Sequence, residues 1–256
     1  MSDPSIVVAV KNDEVAEKPF PQIWKAFALI AIYFVLQFVM TIAVMAAMTF
    51  TDPDAMKATM DNQAEIMSSP QAAIGVVWGL VGAGILMLGI IGWNLRKPAR
   101  AIKIGLFSPS RLSLAETALT AFTLLVGAFF INWVYATYVV PGVEMQAELQ
   151  AILKALDTTT MGLILKVIAV AILAPLIEEI LFRGYLQTAL AERMNHHVAI
   201  WLAALIFAII HLQPMAIPAL MILGAAFGYI YHRTGSLKTC IVLHMLNNGL
   251  ALAIGG

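Results

Sequence analysis

Seven apolar runs dominate the chain between Trp24 and Gly255, and several are as long as a membrane span and nearly free of charge. They lie at 24–50, 72–95, 118–140, 161–190, 198–212, 215–231 and 239–255, with an eighth span if the fourth divides near Pro175. A helix of about 20 mostly apolar residues crosses the hydrocarbon core of a bilayer. Backbone polar groups find no water there, so each run should be a helix. The expected fold is an all-α, polytopic membrane bundle. Composition agrees: 61% of residues are hydrophobic and 12% charged, against about 25% charged in soluble domains. A soluble chain this apolar could not cover its own surface with polar groups.

The chain reads in three parts: a polar cytoplasmic tail over 1–23, N-terminal spans and loops over 24–160, and a core over 161–256 that carries the candidate chemistry. The first run is longer than the roughly 7–15 residues of a signal-peptide core and reads as an uncleaved anchor. Lys and Arg set the orientation. Lys11, Lys18, Lys25, Arg96, Lys97, Arg100, Lys103, Arg111, Arg193, Arg233 and Lys238 share one side if the N-terminus is cytoplasmic. The opposite loops hold Lys57 and Lys154 among Asp52, Asp54, Asp61, Glu65, Glu144, Glu148 and Asp157. If the source is prokaryotic, the expected location is the cell membrane. Met145, Leu149, Ile152, Leu153 and Leu156 recur at helical spacing, the pattern of an amphipathic helix on the outer membrane surface. Gly75 and Gly79, and Gly224 and Gly228, form GxxxG pairs suited to close helix packing. The zero net charge gives no sign of nucleic acid. The lone Cys240 excludes an internal disulfide or a cysteine zinc cluster. Placed at the end of an apolar run, Cys240 is also a poor candidate nucleophile.

Ionisable residues at membrane depth are costly and point to function. Three clusters follow residue 165. Glu178 and Glu179 precede Arg183; Glu179 and Arg183 are one turn apart and can pair. Glu178 points about 100° away from Glu179 and is free to face a cavity. Pro175 can kink the helix beside it. The other clusters are Phe207 with His211, and His244 with Asn248, each pair one helical turn apart. Measured from the cytoplasmic helix ends, Glu178 lies roughly 18 Å deep, His211 roughly 20 Å, His244 roughly 8 Å and Asn248 roughly 14 Å. Residues from three helices thus fall in one layer. Peptide hydrolysis needs a base for water, donors for an oxyanion and a proton for the leaving amine. A carboxylate in an apolar pocket, two histidines and an amide can supply them. No Gly-x-Ser-x-Gly or His-Glu-x-x-His occurs, and no Asp lies inside an expected span. Lys166 should snorkel to the outer surface, Asn132 should bond a neighbouring helix, and His196 and His197 should be solvated in a cytoplasmic turn.

Glu-Glu-x-x-x-Arg, Phe-x-x-x-His and His-x-x-x-Asn, in order over about residues 165–255, resemble the CPBP family. This family includes the type II CAAX prenyl endopeptidases, bacteriocin-processing proteins and Abi-type proteins. The resemblance implies an intramembrane endopeptidase in which Glu178 and His211 activate water, and His244 and Asn248 form the oxyanion hole. It gives Glu179, Arg183 and Phe207 supporting places. A metal-free glutamate mechanism is favoured, with no cofactor; the alternative is zinc held by Glu178, His211 and His244. The expected substrate is a membrane-associated peptide or protein, of CAAX type or unmodified, cut near the cytoplasmic half of the bilayer. Two other classes stay open: a proton-coupled transporter, since buried Glu and His also serve pumps, and a non-catalytic membrane scaffold of the same fold.

Overall fold

The computed structural model describes residues 20–51, 69–141 and 147–255. Most of the expected tail, the loop at 52–68 and Met145 lie outside the described residues, and of Leu149 only the backbone is described. Helix α1 (Ile23–Thr51) is followed by α2 (Pro70–Asn94) and a short α3 (Pro98–Lys103). Helix α4 (Leu114–Val134) widens to a π-helix through Val139. Then come α5 (Ala147–Leu156), the long α6 (Thr160–Ala191) and α7 (His196–Ile209). A 3-10 turn at Pro214–Ala216 leads into α8 (Ile217–Thr234), and α9 (Leu237–Gly255) follows. Six of these helices, α1, α2, α4, α6, α8 and α9, are long and apolar enough to cross a membrane. Their outward faces carry large apolar side chains, among them Phe38 at 70% and Phe122 at 67% exposure, a surface suited to lipid rather than water. The chain is an all-α, multi-pass integral membrane protein.

Local chemistry explains the helix ends. At α4, Ser113 Oγ accepts the Glu116 N–H while Glu116 Oε2 accepts the Ser113 N–H, which satisfies two end groups reciprocally. At α8, Gly235 takes the left-handed φ of 66° that closes the helix. The GxxxG expectation holds at the α1–α2 contact. A Cβ on Gly79 would run into the Thr41 backbone, and one on Gly75 would meet the Met45 sulfur.

Four expectations change. Helix α6 is not divided at Pro175. It runs unbroken from Thr160 to Ala191 by widening to π-helix at Val167–Leu173 and Ile180–Gln187, and such wider turns absorb a residue that α geometry cannot. Helix α7 spans 196–209 rather than 198–212. Pro214 biases the residue before it away from helix, and Leu212 adopts a left-handed φ of 55°. At 1.5 Å per residue α7 is roughly 21 Å long, against a hydrocarbon core of about 30 Å. Helix α5 does not merely lie on a surface: its Ala155 and Leu156 are buried against Ala73, Val77, Leu165 and Ala169. Gly162 lets its end sit this close, since a Cβ there would strike the Leu156 carbonyl. Lys166 does not snorkel. It is 5% exposed and pairs with Asp157 at 2.8 and 3.0 Å, because the end of α5 delivers a carboxylate to it.

The basic segments gather at one end of the bundle. There the Arg111 N–H donates to the Thr234 carbonyl (2.7 Å), the Leu237 N–H to the Gly105 carbonyl (3.0 Å) and the Tyr231 hydroxyl to the Ile104 carbonyl (2.9 Å). His196 and His197 are exposed there as expected, yet they are also packed. The His196 ring is 4.7 Å from that of His232, and His197 Nδ1 lies 2.9 Å from the Tyr229 hydroxyl. Asn132 donates to the Ala219 carbonyl on α8 (3.3 Å), as anticipated.

Candidate active site

The centre of α6 carries a buried charge pair. Glu179 is 0% and Arg183 2% exposed, and Arg183 Nη1 lies 3.0 Å from Glu179 Oε1. Breaking such a pair leaves an uncompensated buried charge, so its other partners matter. Arg183 Nη2 donates to the Gly224 carbonyl (2.8 Å), and its guanidinium lies over the Phe207 and Phe227 rings at 5.2 and 5.7 Å. One turn on, Gln187 Nε2 donates to the Gly228 carbonyl (3.0 Å). Gly224 and Gly228 therefore do more than pack. They let α6 side chains reach the α8 backbone, and a Cβ on Gly228 would come within 2.9 Å of Gln187 Oε1.

His244, on α9, is brought to the same carboxylate: its Nδ1 lies 2.8 Å from Glu179 Oε1 and its Nε2 3.9 Å from Glu178 Oε2. Phe227 stacks on its ring with centroids 4.6 Å apart. Glu179, as the carboxylate ion-paired with Arg183, can only accept, so Nδ1 of His244 is the donor. His211 sits two residues beyond the end of α7, yet still reaches back one turn: its Nδ1 is 2.7 Å from the Phe207 carbonyl. A carbonyl only accepts, so His211 Nδ1 carries the hydrogen and Nε2 keeps a lone pair in the neutral ring. Phe207 is buried, edge-on to Phe182 at 5.2 Å and 4.7 Å from the His211 ring. It anchors both Arg183 and His211.

Asn248 is fixed by the π-helical turn. The Ala174 N–H donates to the Ala169 carbonyl, five residues back. In that register the Val170 carbonyl would next meet the N–H of residue 175, which is proline and has none. Asn248 Nδ2 fills the gap, donating to the Val170 carbonyl at 3.0 Å, while Asn247 Nδ2 donates to Asn248 Oδ1 at 3.1 Å. One amide hydrogen of Asn248 remains uncommitted.

Glu178, His211, His244 and Asn248 all line one cavity of about 630 Å³. Its walls also include Tyr33 and Gln37 of α1, Leu80 of α2 and Lys154 of α5. The sequence reading missed Tyr33, Gln37 and Asn247. A polar side chain inside an apolar run was the available signal for Gln37 and Asn247. The zinc set of Glu178, His211 and His244 is not drawn together into a metal-binding cluster. Among the described residues no group of three His, Cys, Asp or Glu side chains is placed to hold a metal ion. Cys240 is fully buried and directs its thiol at the Phe227 carbonyl (3.6 Å).

Comparison with known proteins bears on the same region. Residues 160–250 match the family model "Type II CAAX prenyl endopeptidase Rce1-like". A Bacillus subtilis (strain 168) protein named "Putative membrane peptidase YdiL" is 30% identical over 112 residues, which are 43% of this chain and 44% of that protein. The chain thus matches less than half the length of this curated relative. No solved structure matches significantly.

Proposed function

We propose that this chain, whose residues 160–250 match the Rce1-like family model, is an intramembrane endopeptidase. The observation that carries the reading is the convergence of two acid–base groups and two donors, from α6, α9 and the turn after α7, on one cavity. Glu178 takes a proton from water, with His211 Nε2 sharing the water as an acceptor. The hydroxide adds to the scissile carbonyl, and Glu178 returns the proton to the leaving amine, so the proton count closes. His244 Nδ1 is committed to Glu179, which leaves Nε2 to face the oxyanion; donation from it requires a second proton on the ring, for which Glu179 is the counter-charge. The uncommitted amide hydrogen of Asn248 is the second donor. Glu179, Arg183 and Phe207 hold these groups in register. No step here passes through a metal. The substrates are membrane-associated peptides or proteins, in the CAAX-type or unmodified class.

The test compares new protein termini, by mass spectrometry, in cells making the wild type or Glu178→Gln at matched membrane levels. Termini present in the wild type and lost in the variant are expected, and His211→Ala and His244→Ala should lose the same set while still inserting. An identical set of termini in wild type and Glu178→Gln would overturn the peptidase reading. A proton-flux assay in liposomes would then separate transporter from scaffold.

A further inference from the structure

The inner wall of the cavity is the layer of Glu178 and His244, and its other end is built by Gln150 and Lys154 of α5 together with the Asp157–Lys166 pair. None of its lining comes from the end where the basic segments gather. The way to that end is filled by Ile104, Tyr185, Leu186, Ile230 and Leu237, each 0% exposed. Gly184 sits between Ile104 and Leu237, where even a Cβ would stand 3.2 Å from the Leu237 side chain. The filled end carries Arg96, Lys97, Arg100, Lys103, Arg111, Arg193, Arg233 and Lys238, and an excess of Lys and Arg marks the cytoplasmic side. The end with Lys154 and Lys166 is then the non-cytoplasmic one.

We propose that the cavity is entered from the non-cytoplasmic face, past α5, and takes polypeptide segments exposed on that face. The substrate class rests on the peptidase reading above and sharpens it: exported or membrane-anchored chains, not cytoplasmic lipidated C-termini. The rim suits such a segment. Exposed Lys154 and Gln150, beside the Lys166–Asp157 pair, meet its polar flank, and the apolar walls from Tyr33, Leu173 and Leu220 receive the residues that dip toward Glu178. This places entry opposite to the cytoplasmic half from which the sequence reading measured depth.

Single cysteines test the entry face. Gln150→Cys and Lys154→Cys at the rim, and Arg193→Cys at the basic end, are made in the full chain in sealed membrane vesicles of known sidedness. The native Cys240 is fully buried, so it can stay or be replaced by alanine. A membrane-impermeant maleimide applied from the non-cytoplasmic side should label the rim cysteines and spare Arg193→Cys. The reverse pattern overturns the proposal. The Glu178-dependent termini then decide the substrate class. Termini in non-cytoplasmic segments are expected, and termini confined to cytoplasmic segments overturn it. If no terminus depends on Glu178, the peptidase reading fails and the substrate class goes with it. The labelling pattern, which needs no activity, separates that failure from a wrong entry face.

Discussion

One oxygen of Glu179 serves two partners: the Arg183 guanidinium at 3.0 Å and the His244 ring at 2.8 Å. Glu179→Ala should therefore act twice. It leaves a buried guanidinium without its counter-charge, a loss of about 3–5 kcal/mol, and it frees the His244 ring to turn. The expected result is low membrane yield and a lower unfolding temperature in detergent, with the surviving protein inactive. Glu179→Gln keeps the volume, so it should regain part of the yield and little of the turnover. Asn248→Ala is milder in a different way. It removes the proposed second oxyanion donor, a loss that costs about 10²–10³ in rate, so slow cleavage should persist at normal yield. At this scale the sequence was informative wherever two residues share a helix turn. The Glu179–Arg183 pair and the reach of His211 to Phe207 both follow from a spacing of four. The bond from His244 to Glu179 does not, because the register between α6 and α9 depends on packing 65 residues apart in the chain.

Pro175 acts through the helix that contains it. By withholding an N–H it leaves the Val170 carbonyl to Asn248. Pro175→Ala restores that N–H and should loosen Asn248. Turnover should fall by no more than the Asn248→Ala loss, and the two substitutions combined should be far less than additive, as expected for one shared interaction. Cleavage rates of the two single variants and the double variant check this. Gly228→Val should be destabilising, because its side chain would collide with Gln187 and Ile200 and part α6 from α8. A drop in unfolding temperature with the Glu178 layer otherwise intact is the expected signature. Apolar length revealed seven of the helices, since hydrocarbon demands it. The π-helical turns of α6 were not legible, since an apolar sequence fits either winding and the choice is made by neighbours such as Asn248. The end of α7 was signalled by Pro214 but masked by the apolar residues that continue past Ile209.

Across the whole molecule, the motif-bearing helices build three sides of the cavity and the N-terminal helices another. Tyr33, Phe34 and Gln37 of α1 and Leu80 of α2 face the same space as Glu178, so the first half of the chain is part of the enclosure. Composition and charge made the membrane bundle legible, while the placement of α1 on the cavity wall depends on contacts that no run of residues announces. The brevity of α7 has its own consequence for the surrounding lipid. A helix roughly 21 Å long that places His211 just past its end obliges the bilayer to dimple there, or lets headgroups and water sink toward the site. Acyl-chain length then becomes a control on the proposed cleavage. In proteoliposomes of short-chain phosphatidylcholine, cleavage should be faster than in long-chain lipid of the same headgroup. A rate indifferent to chain length would mean that the protein bears the thinning alone.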